Sequence, residues 1–177
     1  MRGKQCKDQR QQQASAIPAN EPSGLPTLAD INVYDSLDER WAVGNFLGKT
    51  LAQAEELFRE SAMTYQEDLQ HMGPVAFRFY VPAFVTNLRS SASSGDSYAV
   101  NAFASLVRHR WESEPEELEP VRGLLADACR TVLAEWDRFG VDEAVYCGWS
   151  EGGLRGDYEA LLASLTATSA DGPAGFR

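Results

Sequence analysis

The chain has 177 residues, with 16 Lys+Arg against 26 Asp+Glu and a formal net charge of −10 at pH 7. Its hydrophobic content of 44% and charged content of 24% are those of an ordinary globular protein, and the length suits one domain with a substantial core. A pI near 4.6 argues against nucleic acid as a partner, because phosphates must be neutralised by clustered Lys and Arg, and against electrostatic attachment to an anionic membrane.

The charge is divided unevenly along the chain. Residues 1–27 carry Arg2, Lys4, Lys7 and Arg10 against Asp8 and Glu21, which leaves 12 basic and 24 acidic residues over 28–177, a net of −12. This first stretch also holds five glutamines by position 13 and the prolines Pro18, Pro22 and Pro26. It has too little apolar surface to offset the entropy of ordering, so it is expected to be a disordered leader, or an extension from an upstream start codon. It lacks the apolar run of a secretory signal, and no segment reaches the roughly 20 apolar residues of a membrane span. Cys6, Cys129 and Cys147 are odd in number and widely spaced, which speaks against a disulfide framework or a thiolate zinc site. The expected compartment is the cytoplasm.

Helices are predicted from here on. Ser36-Leu-Asp-Glu39 and Thr50-Leu-Ala-Gln53 fit the capping box that opens a helix, and Leu51, Ala54, Leu57 and Phe58 continue the second one at helical spacing. From Pro74 to Leu88, only Arg78, Thr86 and Asn87 interrupt apolar residues and proline. Phe77, Tyr80, Val81, Phe84 and Leu88 form a helical stripe, with Pro74 suited to a first turn. A strand also fits, since Val75, Phe77, Phe79 and Val81 alternate with Ala76, Arg78 and Tyr80. The helix is preferred because its neighbours read as helical and no partner strand is evident. Pro82 is expected to kink the helix or end the strand.

After the Ser91–Asp96 loop, Asp96 or Ser97 caps a helix carrying Tyr98, Ala102, Phe103, Leu106 and Val107. Pro115 opens a long predicted helix through Leu118, Val121, Leu125, Cys129, Val132, Trp136 and Phe139, with Gly140 as its cap. Tyr158, Leu161, Leu162 and Leu165 mark the last helix. The expectation is an all-α domain over 28–168, a compact array of about five to six helices around a central apolar helix, with a frayed tail at 169–177.

Candidate chemistry is sparse. Gly148-Trp-Ser-Glu-Gly152 matches G-x-S-x-G, but His71 and His109 both precede Ser150, no βαβ series leads to it, and a chance match in a glycine-rich turn is the better reading. His109 and Glu112 are three apart, yet the E-x-x-H pairs of a carboxylate bundle are missing, so no metal and no cofactor is expected. Glu112, Glu114, Glu116, Glu117 and Glu119 place five acids in eight residues. They suit the start of a helix through its dipole, or form an acidic docking surface for a basic protein partner. Arg78 inside the apolar stretch needs a carboxylate partner, with Glu67, Asp68 or an acid after Pro115 as candidates. Cys129 lies on an apolar face and reads as inert core.

Phe46-Leu-Gly-Lys-Thr50, Ala54-Glu-Glu-Leu-Phe58, Tyr65-Gln-Glu-Asp-Leu69, Met72-Gly-Pro-Val-Ala-Phe77 and Tyr80-Val-Pro82 resemble an uncharacterised bacterial family, a domain of unknown function. The resemblance runs from about residue 40 to 165 and includes Ala102–Leu106. It implies a small helical domain and brings no activity, cofactor or catalytic residue. The leading expectation is a non-enzymatic protein-binding role, of which an immunity-like or antitoxin-like protein is one version. The alternative is an enzyme of unrecognised type with a polar pocket around Arg78, Tyr80, Glu67 and Asp68.

Overall fold

The structure is a computed structural model that describes residues 24–146 and 152–167. Among these residues every regular element is helical: α1 (Leu28–Ile31), α2 (Leu37–Phe46), α3 (Leu51–His71), α4 (Pro74–Arg89), α5 (Ser97–Ser113), α6 (Arg122–Ala134) and α7 (Gly153–Thr166). Short 3-10 segments cover Ser91–Ser93, Pro115–Val121 and Trp136–Phe139. The all-α architecture expected from the sequence is the one adopted, and the strand alternative at 75–81 is excluded by α4. Of the expected leader, residues 1–23 lie outside the described residues, as does the tail from 168. In Gly24–Thr27 Pro26 is buried, and Thr27 N–H donates to Asp30 Oδ2 (2.8 Å) at the head of α1.

α4 is the central helix. Ala76, Phe77, Tyr80, Val81, Phe84, Val85 and Leu88 are all buried, because α3, α6 and α1 pack around it. Phe84 stacks on Phe58 of α3 (4.6 Å between rings) and meets Phe103 of α5 edge-on at 5.4 Å. Both capping boxes form as expected: Glu39 N–H donates to Ser36 Oγ (3.1 Å) and Gln53 N–H to Thr50 Oγ1 (3.3 Å). α1, too short to be read from periodicity, is held where Gly73 N–H donates to the Ile31 carbonyl (3.1 Å). A Cβ at Gly73 would lie 2.5 Å from the Asp30 carbonyl oxygen and from Val33 Cγ2, so only glycine permits this approach.

Two helices differ from the sequence expectation. The single helix predicted from Pro115 to Phe139 is divided into a 3-10 segment, α6 and a second 3-10 segment. Pro120 has no N–H for the α ladder and its ring crowds the preceding turn, so the chain stays 3-10 until Arg122. Gly140 then caps in the left-handed region at φ 62°. α3 is also interrupted, at Ser61 (φ −159°, ψ 90°). There the Ser61 hydroxyl accepts from Thr64 N–H (3.4 Å) and recaps the second half of the helix.

Candidate functional site

The second half of α3 and the outer face of α2 enclose a cleft of about 320 Å³, lined by Asp38, Trp41 and Asn45 from α2 and by Thr64, Glu67, Asp68 and His71 from α3. The numbering explains the grouping. Positions 38, 41 and 45 recur on one face of a helix, as do 64, 67, 68 and 71. The break at Ser61 sets the direction of the second group. The position of α2 depends on Glu39, a buried carboxylate that accepts from the backbone N–H groups of Val33 (2.8 Å), Tyr34 (2.9 Å) and Ser36 (2.8 Å). Burial pushes Glu39 upward, but the donors at Ser36, Tyr34 and Val33 outweigh it and hold the group below its ordinary pKa.

Asp68 forms the floor of the cleft and is only 7% exposed. Its Oδ2 accepts from Asn45 Nδ2 at 2.8 Å, a bond that ties α2 to α3. Burial raises its pKa and the neighbouring Glu67 adds to that, while Asn45 and His71 oppose it. Trp41, at the rim, is 65% exposed. Leu37, one turn before Trp41 on α2, is 69% exposed, and Tyr34, just before the helix, is 82% exposed.

The residues singled out in the sequence do not form one site. Glu67 and Asp68 line the cleft; Arg78 and Tyr80 do not. Tyr80 is sealed in the core, where its hydroxyl donates to the carbonyls of Phe46 (2.7 Å) and Lys49 (3.0 Å), and burial pushes its pKa up to about 12. The pocket imagined around Arg78 and Tyr80 is thus replaced by a structural tie between α4 and the α2–α3 turn. Arg78 is half-buried and Nη1 donates to the main-chain carbonyl of Glu117 (3.3 Å). Burial and Glu114 raise the pKa of the Glu117 carboxyl while the charges of Arg110 and Arg78 lower it, so the acid that Arg78 meets is the one after Pro115, without a direct ion pair.

The buried ion pair belongs to Arg110, in the last turn of α5. Arg110 is 4% exposed; Nη1 donates to Glu114 Oε2 (3.0 Å) and lies 3.6 Å from Glu117 Oε2. Nη2 donates to the carbonyls of Leu69 (3.0 Å) and Met72, and the guanidinium sits over the Phe77 ring. Glu114 and Glu117 therefore face inward, while Glu112 pairs with Arg108 and Glu119 with Arg122. Glu116 stays exposed. The acid run read as a docking surface is largely consumed by pairing within the chain.

The remaining candidates are quickly placed. His71 ends α3, and its ring lies 6.2 Å from that of His109 on α5. Glu112 is engaged by Arg108, and among the described residues no group of three or more His, Cys, Asp or Glu could hold a metal ion. Cys129 is fully buried and its thiol is pushed up to about 12 by burial. Ser150 lies outside the described residues. Among those described, no helix is long and apolar enough to cross a membrane. No protein-family model, curated protein or solved structure matches the chain.

Proposed function

We propose that the protein is a non-enzymatic cytoplasmic protein-binding module that docks a basic protein partner on the face formed by α2 and the second half of α3. An immunity-like or antitoxin-like role is its most concrete form, and the uncharacterised bacterial family it resembles would share it. One observation carries the reading: the acidic cleft of Asp38, Glu67 and Asp68 opens beside the exposed run of Tyr34, Leu37 and Trp41. Apolar and aromatic side chains supply the buried centre of an interface, and a surrounding charge of one sign selects and steers a partner of the other. The pocket that the enzyme alternative placed at Tyr80 is not formed there, because Tyr80 is buried in the core apart from the cleft lined by Glu67 and Asp68.

The test is affinity purification of the full chain from its native cells, repeated with Leu37→Ser/Trp41→Ser and with Glu116→Gln. A basic partner recovered at one-to-one stoichiometry, lost with the double variant and kept with E116Q, is the expected result. A toxin gene beside this one would favour the immunity-like form. Recovery of no stoichiometric partner, or a partner indifferent to Leu37 and Trp41, contradicts the proposal. A self-associated chain that dissociates in the double variant would show the face to be a homodimer contact and would contradict it equally.

A further inference from the structure

The cleft can be assigned a more specific occupant, an inference that rests on the protein-binding reading. We propose that the α2–α3 cleft receives one arginine side chain of the partner, with the guanidinium against the Trp41 ring and its N–H groups on the carboxylates of Glu67 and Asp68.

The charge arrangement supports this. Several acids of the described residues are paired within the chain, Asp35 with Arg40, Glu55 with Arg59, Glu112 with Arg108 and Glu135 with Arg138, whereas Glu56, Glu60 and Glu116 are exposed and in no ion pair with a described residue. Among the described residues no such pair reaches Asp38, Glu67 or Asp68, although these three share one concavity. Asp68 is more than nine-tenths buried, and a single amide, from Asn45, is the one hydrogen bond made to its carboxylate by the described residues. A carboxylate can accept about four hydrogen bonds, so Asp68 keeps acceptor capacity beyond Asn45 where it lines the cleft. Burying an ionised carboxylate is costly, His71 in the same cleft offsets that cost without cancelling it, and a cation brought from outside would offset more of it on binding.

The shape and the aromatic rim narrow the cation. A cleft of about 320 Å³ is near the lower end for ligand sites, roughly 300–1,000 Å³, and takes a side chain, not a folded element. A metal ion is disfavoured, because the described residues offer no set of three ligands. Between the two cationic side chains, arginine fits better. Its planar group stacks on an indole and presents several donors at once to adjacent carboxylates, whereas an ammonium is a strongly hydrated point charge.

The experiment is a titration of the 15N-labelled full chain, read at the Trp41 indole N–H and the Asn45 side-chain amide. The probes are the blocked tripeptides Gly-Arg-Gly, Gly-Lys-Gly and Gly-citrulline-Gly, the last a neutral isostere of the first. The arginine peptide should shift both signals saturably, with Kd of about 1 mM as befits one isolated side chain. The lysine peptide should bind at least about threefold more weakly, the citrulline peptide should not bind, and Glu67→Gln/Asp68→Asn should abolish the response. Absence of a saturable shift, or an equal response to citrulline, overturns the arginine site. The same carboxylate double variant separates this inference from the reading beneath it. If the partner is held as tightly by E67Q/D68N as by wild type, yet lost by L37S/W41S, docking stands and the arginine site falls. An increase in Kd of at least about 10-fold in E67Q/D68N supports both.

Discussion

Asp68 is held in the core edge at a cost that the fold leaves in place. Its pKa is raised by burial, so the native state binds a proton more readily than the unfolded chain. Stability linked to this group therefore falls as pH rises from the ordinary Asp value, near 3.9, through the raised one. Asp68→Asn keeps the shape and removes the charge, and should raise Tm at pH 7 by a few degrees. The gain should shrink as pH is lowered and the wild-type carboxyl protonates. Thermal unfolding of the two chains across pH 3–7 checks it, and equal Tm values throughout would count against a desolvated carboxylate. Tyr80 is the opposite case: its hydroxyl satisfies two carbonyls inside the core. Tyr80→Phe should cost about 1–2 kcal/mol in urea unfolding, with partner binding unchanged; loss of binding without loss of stability would return Tyr80 to a functional role.

Helix α2 owes its position to a carboxylate on its inner side. Glu39 collects the N–H groups of Val33, Tyr34 and Ser36. Glu39→Ala would leave these donors short of an acceptor and should destabilise the chain by about 2–4 kcal/mol, measured by denaturant unfolding. Because the folded pKa of Glu39 is lowered, its contribution is present above the ordinary Glu value near 4.3 and is lost as pH falls through the folded value. Legibility in the sequence also divides at the level of elements. The capping boxes at Ser36 and Thr50 and the stripe of α4 were readable because short-range chemistry specifies them. The division of the helix after Pro115 depended on Pro120, whose missing donor overrides an otherwise continuous apolar periodicity. Half of the site was visible as Glu67 and Asp68. The other half was present as the 38, 41, 45 spacing on α2, but nothing local marks a tryptophan as outward-facing; that follows from Phe46 and Ala42 occupying the core side.

For the whole molecule, the net charge of −10 conceals acids in different settings. Glu114, Glu117 and Glu119 pair with Arg110 and Arg122, whereas no ion pair among the described residues reaches Asp38, Glu67 or Asp68 in the α2–α3 cleft. This difference could not be read from composition, because it depends on Arg110 entering the core from α5 to meet the end of α3. The same junction brings the only two histidines of the chain together. His109 has a lowered pKa, first through burial and then through His71 and Arg110, with Glu112 and Glu114 opposing. The unfolded chain therefore takes up that proton first, and stability falls as pH drops below the ordinary His value of about 6.5 toward the folded one. His109→Asn should flatten the decline in Tm between pH 7.5 and 5.5; an unchanged slope would contradict the linkage.

The central claim, that the α2–α3 face and not the acid run after Ser113 meets the partner, is tested most directly by hydrogen exchange of the full chain alone and in complex with the partner it captures. Protection on binding should concentrate in residues 34–46 and 62–71. Protection confined to residues 112–121, with α2 exchanging as in the unbound chain, would contradict it.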